Sequence, residues 1–326
     1  MKTDNAIFIF TKDRPLLLKD TLKSVLDLDI RIFLIDDSYF LRNQNYNKQL
    51  SNKIPQVSYW GIDEFNSFID SKRIFPSNIE FKLKSPGQKK WNLGNVRNFA
   101  LLLANQNNIE KTLFLDDDII FEDPYLVYEL FKYLDKYLFV GAKVLGMLDT
   151  SIIGHVSLEM GFKEYHYGML SGGCLAFKPQ QITIPFTNIY NEDWIWMILQ
   201  NNNDNCLEYG SVIQSQFDPY KKFKSKILFQ EFGEMVFDGL VKRENNQYNN
   251  LLVQDSFWNA VLIKRIEYID LLLEKVKLRN HKKFLMILRW LKYNLEKYEP
   301  QIFKNYFDFF FVQIKEYQHL CKMLSK

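Results

Sequence analysis

The stretch Lys111–Pro124, KTLFLDDDIIFEDP, sets a short apolar strand directly ahead of three consecutive aspartates. Two carboxylates some 6 Å apart repel by roughly 2–3 kcal/mol at an effective dielectric near 20, so a folded chain that keeps three together needs compensation. A bound cation supplies it, and an acidic turn at a strand end is the plainer alternative. Helix capping has its own residue, Asp123, which reads as an N-cap ahead of Pro124 and the helix PYLVYELFKYL. If the strand continues through LDDD, its period of two puts Asp116 and Asp118 on one face and Asp117 on the other. Two carboxylates on one face suit Mg2+ or Mn2+, hard cations that complete their shells with water and substrate phosphates. The pattern therefore points to a nucleoside-diphosphate derivative.

Upstream, AIFIFT reads as a buried strand, PLLLKDTLKSVL as an amphipathic helix opening at Pro15, RIFLIDDS as a second buried strand, and NVRNFALLLANQ as a helix leading into KTLFLDD. Such alternation predicts an α/β fold, with a mostly parallel sheet covered by helices on both faces. Ligands of these sheets lie beyond the carboxyl ends of the strands. Three polar clusters fall there: Thr11 to Arg14, Asp36 to Ser38 and Asp116 to Asp118. Neither a Walker-type loop nor a dinucleotide fingerprint follows the first strand, so the diphosphate must be held by metal and side chains.

The 326 residues, 47% hydrophobic and 16% aromatic, are ample for a packed core. MKTDNAIFIFTKDRP has neither the length nor the flanks of a signal peptide, and no apolar run approaches the roughly 20 residues of a membrane span. Three scattered cysteines support neither a disulfide framework nor a zinc site. A cytoplasmic protein is the simplest expectation.

Taken in order, FTKDRP, LIDDS, GNVRNFAL, FLDDDIIFEDP, SGGCLAF and NEDWIWMIL resemble the motifs of GT-A glycosyltransferases of the family-2-like branch, over roughly the first 200 residues. That resemblance implies a GT-A catalytic domain over 1–240, with a nucleotide-sugar-binding half (1–118) and an acceptor-binding half (119–240), and a helical C-terminal region over 241–326. It implies transfer of a sugar from a nucleoside-diphosphate donor, UDP-linked, to a hydroxyl acceptor, with Mn2+ or Mg2+ and inversion. Thr11 and Arg14 would line the nucleotide pocket, and Asp36 or Asp37 would bind base or ribose. A self-bonded DDS turn explains those two aspartates equally well. Asp118 would hold the metal, Asp116 ribose or metal, and Asp117 the variable middle position.

Arg97, with Asn98 beside it, would open a helix where the macrodipole disfavours a cation; a diphosphate or acidic cluster nearby reverses that penalty. Gly172 and Gly173 would let backbone approach the ligand. Asp193 would be the general base, with Glu192 as acceptor-binding or substitute residue, although Asn191 and the two acids also suit a plain helix start. His155 and His166 precede that pair and none lies between Asp193 and His281, so the late metal-binding histidine of many such enzymes has no counterpart. A nucleotidyltransferase on a similar sheet and a silent nucleotide-sugar-binding subunit are the alternatives.

From Leu251 onward the chain carries 14 Lys+Arg against 8 Asp+Glu, leaving 28 against 31 before it. Apolar residues recur at helical spacing through Trp258–Leu273, Phe284–Leu295 and Phe303–Tyr317. KVKLRNHKKFLMILRWLK, Lys275 to Lys292, holds seven basic residues and no acid. These basic helices could contact an anionic membrane at its inner face, an acidic partner or a second copy. DPYKKFKSK adds Lys221, Lys222, Lys224 and Lys226, which suit a solvated loop or a cover over the diphosphate. No nucleic-acid module accompanies these charges. The acceptor expected is a glycan, a glycoprotein or peptide, or a lipid-linked sugar.

Overall fold

A computed structural model describes residues 5–71, 93–146, 150–162, 169–200, 205–216, 218–221, 223–241, 252 and 254–324. SPGQKKW, His166 and Lys222 lie outside the described residues. The first half runs β1 (Ala6–Thr11), α1 (Pro15–Lys23), β2 (Arg31–Asp36), α2 (Leu41–Ser51), β3 (Val57–Trp60), α3 (Ile62–Ser71), α4 (Leu93–Gln106) and β4 (Thr112–Asp116). It continues with β5 (Ile119–Ile120), α5 (Leu126–Tyr133), β6 (Phe139–Leu145), α6 (Ile152–Glu159), β7 (Cys174–Phe177), α7 (Glu192–Leu199), β8 (Cys206–Gln214) and α8 (Ile227–Val241).

These strands form one eight-stranded mixed sheet in the order β3-β2-β1-β4-β7-β6-β8-β5. All six residues of β1 are buried because both sheet faces are covered. Phe8, Phe10, Phe33, Ile35 and Phe114 enter one apolar cluster. Ile7, Ile9, Ile32, Leu34, Leu113 and Leu115, the alternate residues, enter the cluster on the opposite face. Near the sheet centre Phe114 meets Phe10 and Phe177, each at 4.8 Å edge to face.

Three details refine the sequence reading. The sheet is mostly parallel as expected, through β1, β2, β3 and β4, but β7 lies antiparallel between β4 and β6. Because β7 starts where β4 ends, the Gly172–Gly173 turn arrives beside Asp116, whose N–H donates to the Gly173 carbonyl at 3.0 Å. Secondly, β4 stops at Asp116 and the chain turns through Asp117 and Asp118 before β5 pairs antiparallel with β8. The three aspartates thus do not alternate as on a strand. Thirdly, the α5 helix begins at Leu126, two residues past Pro124, while Asp123 Oδ1 still accepts the Tyr125 N–H at 2.9 Å.

The C-terminal stripes form α9 (Asp255–Leu278), α10 (Lys282–Leu295) and α11 (Gln301–Leu324). They pack onto the body of the same chain. Trp258 is fully buried, stacked on Phe303 at 4.8 Å and on Phe307 at 5.5 Å. Its cluster also holds Ile195 and Ile198 of α7 and Met235 of α8, while Tyr317 and Leu320 of α11 join the sheet-side cluster with Leu101 of α4. Arg265 on α9 grips the fully buried Glu231 of α8 through two hydrogen bonds, of 2.6 and 2.9 Å. Among the described residues no helix is long and apolar enough to cross a membrane.

Candidate active site

The chain proceeds outward from β1 to β2 and β3, then returns to place β4 on the other side of β1. Such a reversal is where open α/β sheets bind their ligands, at the carboxyl ends of β1 and β4, and the polar clusters predicted there meet at those ends. Thr11 Oγ1 donates to Asp117 Oδ2 at 2.6 Å, joined by the Lys12 N–H at 3.3 Å. Arg14 ion-pairs with Asp117 and with Asp118, at 2.6 Å to the latter. Asp117, the presumed variable position, is fully buried and is held by the whole β1–α1 turn. Burial outweighs Arg14 and Thr11 and pushes its carboxyl up to about 7.

Arg97 lies in the second turn of α4, 2% exposed, with its guanidinium between acids. It donates to Glu192 Oε1 at 2.8 Å, to the Gly172 carbonyl at 3.1 Å and to Asp116 Oδ1 at 3.3 Å. The rings of Phe10 and Phe186 flank it at 5.8 and 5.6 Å. An acidic cluster therefore offsets the cation's place near a helix start. Glu192, 9% exposed, is pushed up to about 8 by burial, with Asp193 and Asp116 adding to the rise and Arg97 opposing it. Burial likewise raises Asp116, against the pull of Arg97.

Asp193 occupies the first turn of α7 and is half-buried. Its Oδ2 accepts the Gly172 N–H at 2.7 Å and its Oδ1 the Trp194 N–H at 2.9 Å. A Cβ on Gly172 would stand 2.5 Å from Asp193 Oδ2 and 2.7 Å from Arg97 Nη1, so only glycine allows this approach. Asn191 sits at the N-cap in the left-handed region (φ 60°) and makes no side-chain cap bond, contrary to its reading as an ordinary cap.

Other predicted residues have internal partners. Asp36 accepts the Ser38 N–H, Asn47 and Tyr59 at 2.8 to 3.0 Å, an arrangement that matches the self-bonded turn. Asp37 holds Lys12 Nζ at 2.6 Å. Asn98 exchanges two hydrogen bonds with the Phe186 backbone, which ties that loop to α4. Gly173 donates its N–H to Ser171 Oγ at 3.1 Å.

Asp13 escaped the sequence reading. In the left-handed region (φ 55°), its carboxylate accepts the Tyr39 and Phe40 N–H groups and the Asn43 side-chain amide at 2.9 to 3.0 Å, tying the turn after β1 to the segment that leads into α2. An acid in a tight turn two residues before Pro15 was the available signal. Asp13→Ala is expected to lower stability by about 1–2 kcal/mol through the lost hydrogen bonds to a charged acceptor, read from urea unfolding; a change near zero would make this tie redundant.

Among the described residues, no three His, Cys, Asp or Glu side chains are arranged to hold a metal by themselves. Asp118 Oδ1 is nevertheless buried with no hydrogen-bond partner among them. This fits a divalent cation held by one or two carboxylates and completed by substrate phosphates, not a metal centre built from protein alone.

No protein-family model matches the chain, and no curated protein matches it. Solved structures similar to it include nucleotide-sugar transferases. Glucosyl-3-phosphoglycerate synthase from Mycobacterium tuberculosis, solved with Mn2+, UDP-glucose and glycerol 3-phosphate, is 12% identical, covering 75% of this chain and 82% of that one (TM-score 0.48). A mannosyltransferase from Pyrobaculum calidifontis, solved with GDP-mannose and Mn2+, is 10% identical, covering 99% and 86% (TM-score 0.49). The 4-diphosphocytidyl-2C-methyl-D-erythritol synthase of Anaerococcus prevotii is 12% identical, covering 71% and 96% (TM-score 0.41). These are likenesses of chain path.

Proposed function

We propose that the chain is a glycosyltransferase that moves a sugar from a nucleoside-diphosphate donor, UDP-linked, to a hydroxyl acceptor with inversion. The observation that carries this reading is the meeting, at these strand ends, of the Asp116–Asp118 turn with the Glu192–Asp193 helix start through Arg97. In this reading the first acidic group serves the donor and the second the acceptor.

In this reading Asp118, with Asp116, holds Mn2+ or Mg2+ together with the donor diphosphate. The cation, when bound, acts as a Lewis acid toward the leaving nucleoside diphosphate. Thr11 and Arg14 shape the nucleotide pocket by fixing the buried Asp117 beneath it. Asp193 accepts the proton of the acceptor hydroxyl as that oxygen bonds to the anomeric carbon and the bond from carbon to phosphate oxygen breaks. Glu192 and Arg97 act as positioning residues that hold Gly172 and Asp116 around the reacting centre. Residues 1–118 contribute the donor half and 119–240 the acceptor half, braced by the helices of 241–326.

The test is thermal shift and calorimetry with UDP, GDP, CDP and dTDP, with and without Mn2+, on the wild type and Asp118→Asn. Metal-dependent binding of one diphosphate, at least about tenfold weaker in the variant, is expected. If a folded wild-type protein binds none of them, the donor site does not exist.

A further inference from the structure

Two basic segments far apart in sequence share one flank. The loop after β8 starts at the site, where the Ser215 N–H donates to the Asp118 carbonyl at 3.0 Å. Five residues later Tyr220 packs on Phe284 of α10 at 5.3 Å, with Lys283 Nζ 4.3 Å over its ring. Phe223 then meets Trp290 at 6.1 Å. Tyr220 and Phe223 are turned inward onto α10, while Lys221, Lys224 and Lys226 are exposed, as are Lys282, Lys283 and Arg289. None of these six has a carboxylate partner among the described residues. Two carboxylates beside the loop bond Tyr220 and not these cations: Glu159 accepts from its Oη at 2.5 Å and Asp218 from its N–H at 2.9 Å.

An extended chain gains at most about 3.6 Å per residue, so Tyr220 stands no more than about 18 Å from Ser215. Lys282 and Arg289 are separated by about 10 Å along their helix. The surface is thus too long for a single phosphate, and its loop is anchored at Asp118 through Ser215, within about 18 Å of Tyr220. Resting on the glycosyltransferase reading, we propose that this flank binds an acceptor in the form of a polyanionic chain, its repeated negative charges lying along the six cations while its end enters the site. A membrane anchor built on Tyr220 and Phe223 would instead present those two rings outward, to lipid.

The test uses the full chain and long-chain polyphosphate as probe, in metal-free buffer, followed by calorimetry at two salt concentrations. The wild type is expected to bind, more weakly as salt rises. The quadruple variant Lys221→Glu, Lys224→Glu, Lys282→Glu and Arg289→Glu should lose at least about tenfold in affinity with its unfolding temperature unchanged. Equal binding by both proteins overturns the proposal. So does a wild type that ignores polyphosphate but sediments with phosphatidylglycerol vesicles. Nucleotide binding is read separately on both proteins. Its absence from both would remove the transferase reading without touching the polyanion result, and its presence alongside failed polyphosphate binding would do the reverse.

Discussion

Asp193→Asn is expected to lower the turnover of sugar transfer by about 10²–10⁴-fold, the usual contribution of a positioned general base, while donor affinity stays near that of the wild type. The physical reason is that an amide cannot take the acceptor's proton. Two backbone N–H groups, of Gly172 and Trp194, hold the two carboxylate oxygens in place. Asparagine keeps one of these bonds and offers a donor where the other was, so a loss of about 1 kcal/mol in stability should accompany the change. The assay separates the effects, since a purely structural defect would weaken donor binding and lower the unfolding temperature together. Turnover within a few-fold of wild type, with the protein folded, would assign the proton transfer elsewhere.

Removing Arg97 should produce the largest loss of stability. Arg97→Met takes a 2% exposed guanidinium from between Glu192, Asp116 and the Gly172 carbonyl. Breaking one side of a buried ion pair costs about 3–5 kcal/mol, because the remaining charge is stranded. The defect has a pH signature. Glu192 is pushed from its ordinary 4.5 up to about 8, so between those values the folded state binds more protons than the unfolded chain and ionisation destabilises it. Without Arg97 that ionisation is worse still. Because the wild type already keeps Glu192 protonated up to about 8, the difference between wild type and variant should stay nearly flat from pH 5 to 7 and widen as pH rises past 8, where Glu192→Gln in the Arg97→Met background should recover part of it. Arg97→Lys should be intermediate, because one ammonium cannot reproduce the planar fork that reaches three acceptors. Unfolding within 1 kcal/mol of wild type at pH 8 would show that the acids are not held by this residue.

The basis of both predictions was partly legible in the sequence. The aspartate run, the acidic pair before Trp194 and Arg97 near a helix start each stood out as charges that regular packing does not explain. Their partners did not stand out. Arg97 was read as facing a diphosphate or an acidic cluster, and the cluster is formed by Glu192 and Asp116, which lie 95 and 19 residues away. Asp117, read as the variable position, is the most buried of the three, because the chain turns after Asp116 and drives it under Thr11 and Arg14.

What the sequence determined by itself is what depends on near neighbours. The short continuous apolar runs marked the strands, the helical spacing marked the helices to Tyr317, and the alternation of the two required a layered α/β fold with Thr11, Asp36 and Asp116 at the carboxyl ends of its strands. What only the tertiary structure decided is what depends on strand direction and on distant charges. The antiparallel entry of β7 brings Gly172 to Asp116, and the docking of α10 against the loop after β8 joins two basic segments on one flank. Neither can be read locally. A strand pattern is the same in both directions, and the energy of a buried charge is set by whichever residues the fold brings within a few ångströms of it.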